Sequence, residues 1–200
     1  LLQAVGFDAQ PLSARVLLAA QDDAPTARTH LLLRVHVEGE DWLVDAGFGG
    51  LTPTVPLRLH ETAPQTTPHE SFQLQQLPGG DDFVLSAQAG DAWRALYRFD
   101  LRPPAPIDNV VANWYVCTHP DSGFPGQLRA SLAGPDWRRT IGSGNYTEYR
   151  PGQAPLKRPL RDAADVRDVL QSAFGLRVPD DARLDPAITD WLQRSHAASR

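Results

Sequence analysis

The chain has 200 residues, 42% of them apolar, with 24 acidic and 19 basic side chains and a formal net charge of −5. That apolar share suits one compact domain or two small ones sharing a core, and no apolar run approaches the ~18 residues of a membrane span. The basic residues are scattered, which argues against nucleic acid as a partner. A single cysteine rules out an internal disulfide framework and favours a reducing, cytoplasmic compartment.

Leu1-Leu2 followed by Val5 reads as a last helical turn stopped by Gly6, which suggests that helical material upstream is missing. Antiparallel β follows. Ala14–Ala20 is an apolar run of strand length. His30–Val37 is a stronger one, and Glu38-Gly39-Glu40-Asp41 turns it into Trp42–Asp45 to make a hairpin. Gly47-Phe48-Gly49-Gly50 suits a ligand-facing loop, because glycine permits positive φ and close backbone approach. Leu51–Pro68, rich in proline and threonine, reads as a surface loop. Ser71–Leu77, Phe83–Ala87 and Ala92–Phe99 complete a set of short strands that favours a barrel or a sandwich.

Composition then changes. Arg102-Pro103-Pro104-Ala105-Pro106 is a stiff connector, and Asp108 is placed to cap a helix carrying Val110, Val111, Trp114 and Tyr115 on one face. Thr118–Pro125 reads as a loop. Strand candidates lie near Leu128–Leu132, Arg138–Ile141 and Tyr146–Tyr149. Asp162 caps an amphipathic helix with Val166, Val169, Leu170, Ala173 and Phe174, ended by Gly175. Asp185-Pro186 opens a last helix with Ile188, Trp191 and Leu192 inward. The second half is therefore mixed α+β.

His30 begins one hairpin strand and Asp45 ends its partner, so across an antiparallel pair the two side chains can meet. A strand histidine alone more often bonds a backbone group, and an aspartate at a strand end is more often a turn residue. Both bland readings weaken together, because the hairpin brings the residues together beside a glycine loop. A carboxylate-held imidazole is the base half of a nucleophilic triad. Cys117 is a poor third member: it lies near a helix C-terminus, where the dipole disfavours a thiolate. The remaining histidines lack the spacing of a metal site, and none is expected.

These residues carry a family resemblance. Arg28-Thr29-His30-Leu31-Leu32-Leu33, Leu43-Val44-Asp45-Ala46-Gly47-Phe48-Gly49-Gly50, Asn113-Trp114-Tyr115 and Thr118-His119-Pro120-Asp121-Ser122-Gly123-Phe124 resemble the arylamine N-acetyltransferases. The opening Leu2-Gln3-Ala4-Val5-Gly6-Phe7, Ala14-Arg15-Val16 and the helix Val166–Gly175 also fit. The resemblance implies an α+β fold in a cysteine-proteinase-like arrangement, with an antiparallel β-barrel over 8–102 and an α/β lid domain over 103–200. An N-terminal helical bundle, of which 1–7 is the tail, is expected to be mostly missing.

Ping-pong acetyl transfer from acetyl-CoA to an arylamine, arylhydroxylamine or hydrazine is the implied reaction, with His30 and Asp45 catalytic. Thr29, with the Phe48-Gly49-Gly50 loop, borders the acyl and amine pocket. Thr29, Tyr115, Ser122 and Phe124 fall where members meet the CoA donor, and Phe48, Gly49 and Gly50 where they meet the amine. Asp121 replaces a small hydroxyl residue that some members carry, an unusual neighbour for a polyanionic donor. The family nucleophile sits in Arg-Gly-Gly-x-Cys, absent here and expected shortly before Leu1. The chain alone is therefore expected to be inactive, and to self-associate through surface left bare. Two alternatives remain: a non-catalytic relative or gene fragment that at most binds CoA or aromatic ligands, and a hydrolase using Cys117.

Overall fold

The computed structural model describes residues 1–18 and 26–198, so Ala19 and Ala20 of the first expected strand lie outside the described residues. By compactness the chain divides into Leu1–Ser122 and Gly123–Arg200. No helix among the described residues is long and apolar enough to cross a membrane.

The first unit opens with a single 3₁₀ turn, Gln3–Val5, closed by Gly6 at φ 96°. Eight strands follow: β1 (Asp8–Val16), β2 (Arg28–Val37), β3 (Glu40–Val44), β4 (Leu57–Arg58), β5 (Gln65–Thr66), β6 (Ser71–Gln76), β7 (Asp82–Ala89) and β8 (Ala92–Asp100). They form one antiparallel sheet in the order β4-β3-β2-β1-β8-β7-β6-β5, curled into a nearly closed barrel. Alternation builds its core. Phe83, Leu85 and Ala87 of β7 point inward, as do Phe72 and Leu74 of β6. They meet Leu12, Leu32, Leu43 and Phe99 in one buried cluster.

Three differences from the sequence reading have local causes. β1 starts six residues before Ala14 and runs through Pro11. That proline is tolerated because β8 pairs only with Ala14–Val16, leaving one edge of β1 open along its first half. The segment Leu51–Pro68 is not all loop, since β4 and β5 are short edge pairings within it. The hairpin turn is tighter than expected. Glu38 and Gly39 alone make it, at φ 53° and 82°, so Val37 pairs directly with Glu40.

Helix α1 (Pro106–Thr118) closes the first unit and packs on β2. Asp108 is not its cap. Pro106 pre-sets the first helical φ, so Ala105 is the N-cap, and Asp108 accepts the Ala105 N–H at 3.1 Å from inside the first turn.

The second unit has a four-stranded antiparallel sheet, ordered β12-β11-β10-β9, and two helices. Its strands are β9 (Ala130–Ala133), β10 (Arg138–Gly142), β11 (Asn145–Tyr149) and β12 (Leu156–Pro159), and its helices α2 (Ala163–Ser172) and α3 (Leu184–Ala197). The edge strand β12 escapes sequence reading because Leu156-Lys157-Arg158-Pro159 has no apolar alternation. Ile141 and Tyr146 pack with Leu160, Val166, Trp191 and Leu192 as a separate core. Helix α3 starts at Leu184, one residue before Asp185-Pro186, which sit in its first turn.

Asp162 caps α2 as expected, its carboxylate accepting the Asp165 N–H at 2.8 Å. Asp165 in turn ties β12 to the helix. It accepts both arms of the Arg158 guanidinium, at 2.9 and 3.0 Å, and the Arg161 N–H at 3.0 Å. The Arg158 bond, outweighing the desolvation of burial, lowers the Asp165 pKa to about 2. A depressed carboxylate contributes stability that is present above its unfolded pKa and is lost as pH falls through the folded one. Asp165→Asn is therefore expected to flatten the acid limb of this unit's stability between about pH 4 and 2, and to cost about 1–2 kcal/mol at neutral pH, since Arg158 is partly solvated. Urea melts of the variant across that pH range test this.

Candidate active site

His30 lies in β2 opposite Ala14 of β1, where the register breaks: Ala14 pairs with His30, but Arg15 pairs with Arg28. Thr29 is thus the extra residue of a bulge. Bulges bend a strand and re-aim the neighbouring side chain. On the other side β2 pairs with β3 from Val37–Glu40 down to Leu33–Val44, and Asp45 follows directly.

The two side chains meet. His30 Nε2 lies 2.7 Å from Asp45 Oδ2, with side-chain exposures of 11% and 0%. The other carboxylate oxygen accepts the Gly47 N–H at 2.9 Å, which ties the glycine loop to the pair. Asp45 therefore takes the Nε2–H of the imidazole. His30 Nδ1 is left as the ring nitrogen with no hydrogen-bond partner among the described residues.

Two aromatic rings hold the imidazole. Phe48 meets it edge-on, with centroids 5.2 Å apart, and Tyr97 of β8 lies at 4.9 Å. Phe48 and Leu51 also pack on the barrel core, anchoring the loop at both ends. Gly49, at φ 97°, donates its N–H to Thr52 Oγ1 at 2.7 Å, and Gly50 follows it in the same turn.

Tyr97 was not singled out from the sequence. Its signal was an aromatic hydroxyl beside Leu96 in the apolar second half of β8, a group that wants a partner when buried. The hydroxyl is buried without a well-formed hydrogen bond. Burial, with the Asp45 charge beside it, pushes the Tyr97 pKa well above the usual tyrosine range.

The other expected positions lie elsewhere. Tyr115 of α1 stacks on His119, centroids 4.6 Å apart, and the Ser122 hydroxyl donates to the Val116 carbonyl at 2.9 Å. Phe124 belongs to the second unit, under the Arg129 guanidinium at 5.0 Å. Cys117 is exposed, and its sulfur sits 3.7 Å from Asn113 Oδ1 rather than beside a histidine. Among the described residues no group of three or more His, Cys, Asp or Glu side chains could hold a metal ion.

The barrel thus holds a carboxylate-bound imidazole against a glycine loop. A family model described as N-acetyltransferase matches residues 1–183. The arylamine N-acetyltransferase of Mycolicibacterium smegmatis is 40% identical over 187 residues, covering 92% of this chain and 67% of its own length. That of Escherichia coli K12 is 39% identical over 180 residues, covering 90% of this chain and 63% of its own length. A structure of Mycobacterium marinum arylamine N-acetyltransferase in complex with CoA superposes with a TM-score of 0.88 at 37% identity, covering 94% of this chain and 71% of that one. The chain belongs to the arylamine N-acetyltransferase family, and it spans about two thirds of the length of these relatives.

Two outcomes follow from the geometry. In ¹⁵N spectra near neutral pH, the neutral form of His30 is expected as the Nε2–H tautomer, and Asp45→Ala is expected to give a tautomer mixture; an unchanged pattern would count against the pairing. Because the folded pKa of Tyr97 is raised, stability is expected to be intact below pH ~10 and to fall as the unfolded chain ionises above it. Tyr97→Phe is expected to flatten that alkaline limb while changing neutral stability by less than about 1 kcal/mol, since the contact of the hydroxyl with the Asp45 carboxylate falls short of a well-formed hydrogen bond.

Proposed function

We propose that this chain supplies the base half of a cysteine-dependent acetyltransferase, which moves an acetyl group from acetyl-CoA to an arylamine, arylhydroxylamine or hydrazine. The observation that carries the reading is the 2.7 Å bond between buried Asp45 and His30, which leaves Nδ1 without a hydrogen-bond partner among the described residues. The CoA bound to the Mycobacterium marinum relative supports the choice of donor.

The thiol is contributed by a cysteine outside these 200 residues. It gives its proton to His30 Nδ1, and Asp45 stabilises the resulting imidazolium through Nε2–H. The thiolate adds to the thioester carbonyl. Collapse of that adduct expels CoA, which takes the proton back from the imidazolium. The amine then attacks the acetyl-cysteine, His30 removes its proton, and the thiolate is released. Phe48, Gly49 and Gly50 border the acceptor amine, and Thr29, beside His30 in the bulge, the acyl group. Tyr115, Ser122 and Phe124 serve the CoA side.

Cys117 is disfavoured as the nucleophile by its exposure and its asparagine neighbour. The 200-residue chain, incubated with acetyl-CoA and an arylamine, is expected to show neither turnover nor an acetylated cysteine by mass spectrometry. Turnover that disappears with Cys117→Ala would overturn the reading. In a longer polypeptide from the same gene carrying the family cysteine, His30→Ala is expected to lower acetyl-enzyme formation by ~10³-fold or more. Unimpaired acetylation of that variant would equally sink the assignment of the base.

A further inference from the structure

His30 stands in a row that runs across three strands. In register it lies beside Ala14 of β1, and Ala14 lies beside Phe99 of β8. Ala14 and Phe99 belong to the barrel core, at 0% and 1% exposure, so this row faces inward. Strand side chains alternate between faces, so Ser13 and Asp100, the next residues along β1 and β8, belong to the outer wall. Arg28 lies on the other side of the row, level with Arg15, where the Thr29 bulge sets it. Its side chain crosses behind the row and shares a cleft with Ser13, Asp100 and Asp108 of α1.

Arg28 ties the three strands together there. Its Nη2 donates to the Ser13 carbonyl at 2.8 Å and its Nη1 to Asp100 Oδ2 at 2.9 Å. Asp100 Oδ1 accepts the Arg102 N–H at 3.0 Å, which fixes the end of β8. Burial alone would raise the pKa of Asp100, and the bonds from Arg28 and the Arg102 N–H outweigh it and hold the carboxyl below its ordinary value. A planar fork reaches two acceptors in fixed directions, which an ammonium cannot do. With its side chain 35% exposed, Arg28 adds little to stability as an ion pair alone. What it adds is geometry. A bulge is a local break in the ladder, and this one has Arg28 on one side and His30 on the other. The third strand of the clasp, β8, carries Tyr97, whose ring packs on the imidazole at 4.9 Å.

We propose that Arg28 is a positioning residue of the acetyl-transfer site: its guanidinium clasps β2, β1 and β8 behind the His30 row, and so sets the angle at which His30 meets the incoming thiol. Both of its arms are engaged by Ser13 and Asp100. Arg28 therefore acts only through His30, and its role rests on the reading of His30 as the base.

Single-turnover acetyl-enzyme formation in the longer polypeptide that carries the family cysteine tests this. A misplacement of about 1 Å at a reacting group can cost ~10²-fold. Arg28→Met is therefore expected to lower the rate at saturating acetyl-CoA about 10–100-fold, with the half-saturating concentration unchanged within about two-fold. Arg28→Lys keeps the charge and one of the two bonds, and is expected to fall between Arg28→Met and the wild type. Because Arg28→Met leaves a buried carboxylate unpaired, Arg28→Met/Asp100→Asn accompanies it. The amide still accepts the Arg102 N–H, so stability is expected to return while the rate stays low. Arg98→Lys, in an exposed ion pair with Asp82 on the same barrel, is the control and is expected within about two-fold of the wild type. A double variant that regains rate along with stability would make Arg28 a stabilising residue only and would overturn the proposal, as would an Arg28→Met enzyme as fast as the wild type. Failure of the base itself reads differently, because His30→Ala would then acetylate normally. In the 200-residue chain, where no turnover is needed, the His30 ring protons lie against Tyr97 and Phe48 and report the angle of the imidazole. Arg28→Met is expected to move those resonances while the Nε2–H tautomer persists, and unmoved resonances would equally refute the clasp.

Discussion

The register of the β2–β3 hairpin is the constraint on which the site depends. Strand side chains alternate between faces, so a slip of one residue would turn His30 outward and take Asp45 away from it. The two-residue Glu38-Gly39 turn pins that register, because both residues hold positive φ and the strands leave it already paired at Val37 and Glu40. At the far end of the same ladder, the Thr29 bulge adjusts the angle at which His30 enters the barrel. The glycine loop adds the last restraint through the Gly47 N–H on Asp45. Carboxylate, imidazole and loop are thus fixed relative to one another by backbone pairing, which leaves the side chains little freedom to lose on binding a substrate.

Much of this was legible in the sequence. The strong run from His30 to Val37, the turn residues and the ending at Asp45 define a hairpin by local pattern alone, and a hairpin dictates which residues face each other. The rest rests on non-local choices. Tyr97 reaches the imidazole only because β8 lies inside the barrel beside β1, a pairing that local pattern does not reveal. β12 is a polar edge strand defined by its partner rather than by its own composition. For α1, periodicity revealed the apolar stripe but not its direction, since Val110, Val111 and Trp114 stand exposed: the assumption that such a stripe faces inward holds only when the helix has its own core to cover. No nucleophile could be matched to the His30–Asp45 pair from the fold, because Cys117, the one thiol in the sequence, lies on an exposed helix face.

The two units combine an apolar core with guanidinium–carboxylate ties in different proportions. The first is a sheet wrapped around aliphatic and aromatic side chains, with Arg34 on Asp41 and Arg28 on Asp100 at its margins. In the second, a smaller apolar core is bordered by guanidinium–carboxylate contacts: Arg158 on Asp165, and Arg139 and Arg150 on Glu148. Acid is therefore expected to weaken both units, since Asp41 in the barrel and Asp165 in the second unit are each lowered to about 2 by a guanidinium partner.

The hairpin also has a kinetic meaning. Only 15 residues separate His30 from Asp45, so the loop entropy opposing their encounter is small. Pairing β1 with β8, as at Ala14 and Phe99, joins distant parts of the chain and is the slower event. The imidazole and carboxylate can thus find each other while still wet, in an open sheet where water screens their attraction. They become a buried pair only when β8 docks and Tyr97 packs against the imidazole. Pairing of His30 with Asp45 and burial of that pair are therefore successive stages of folding.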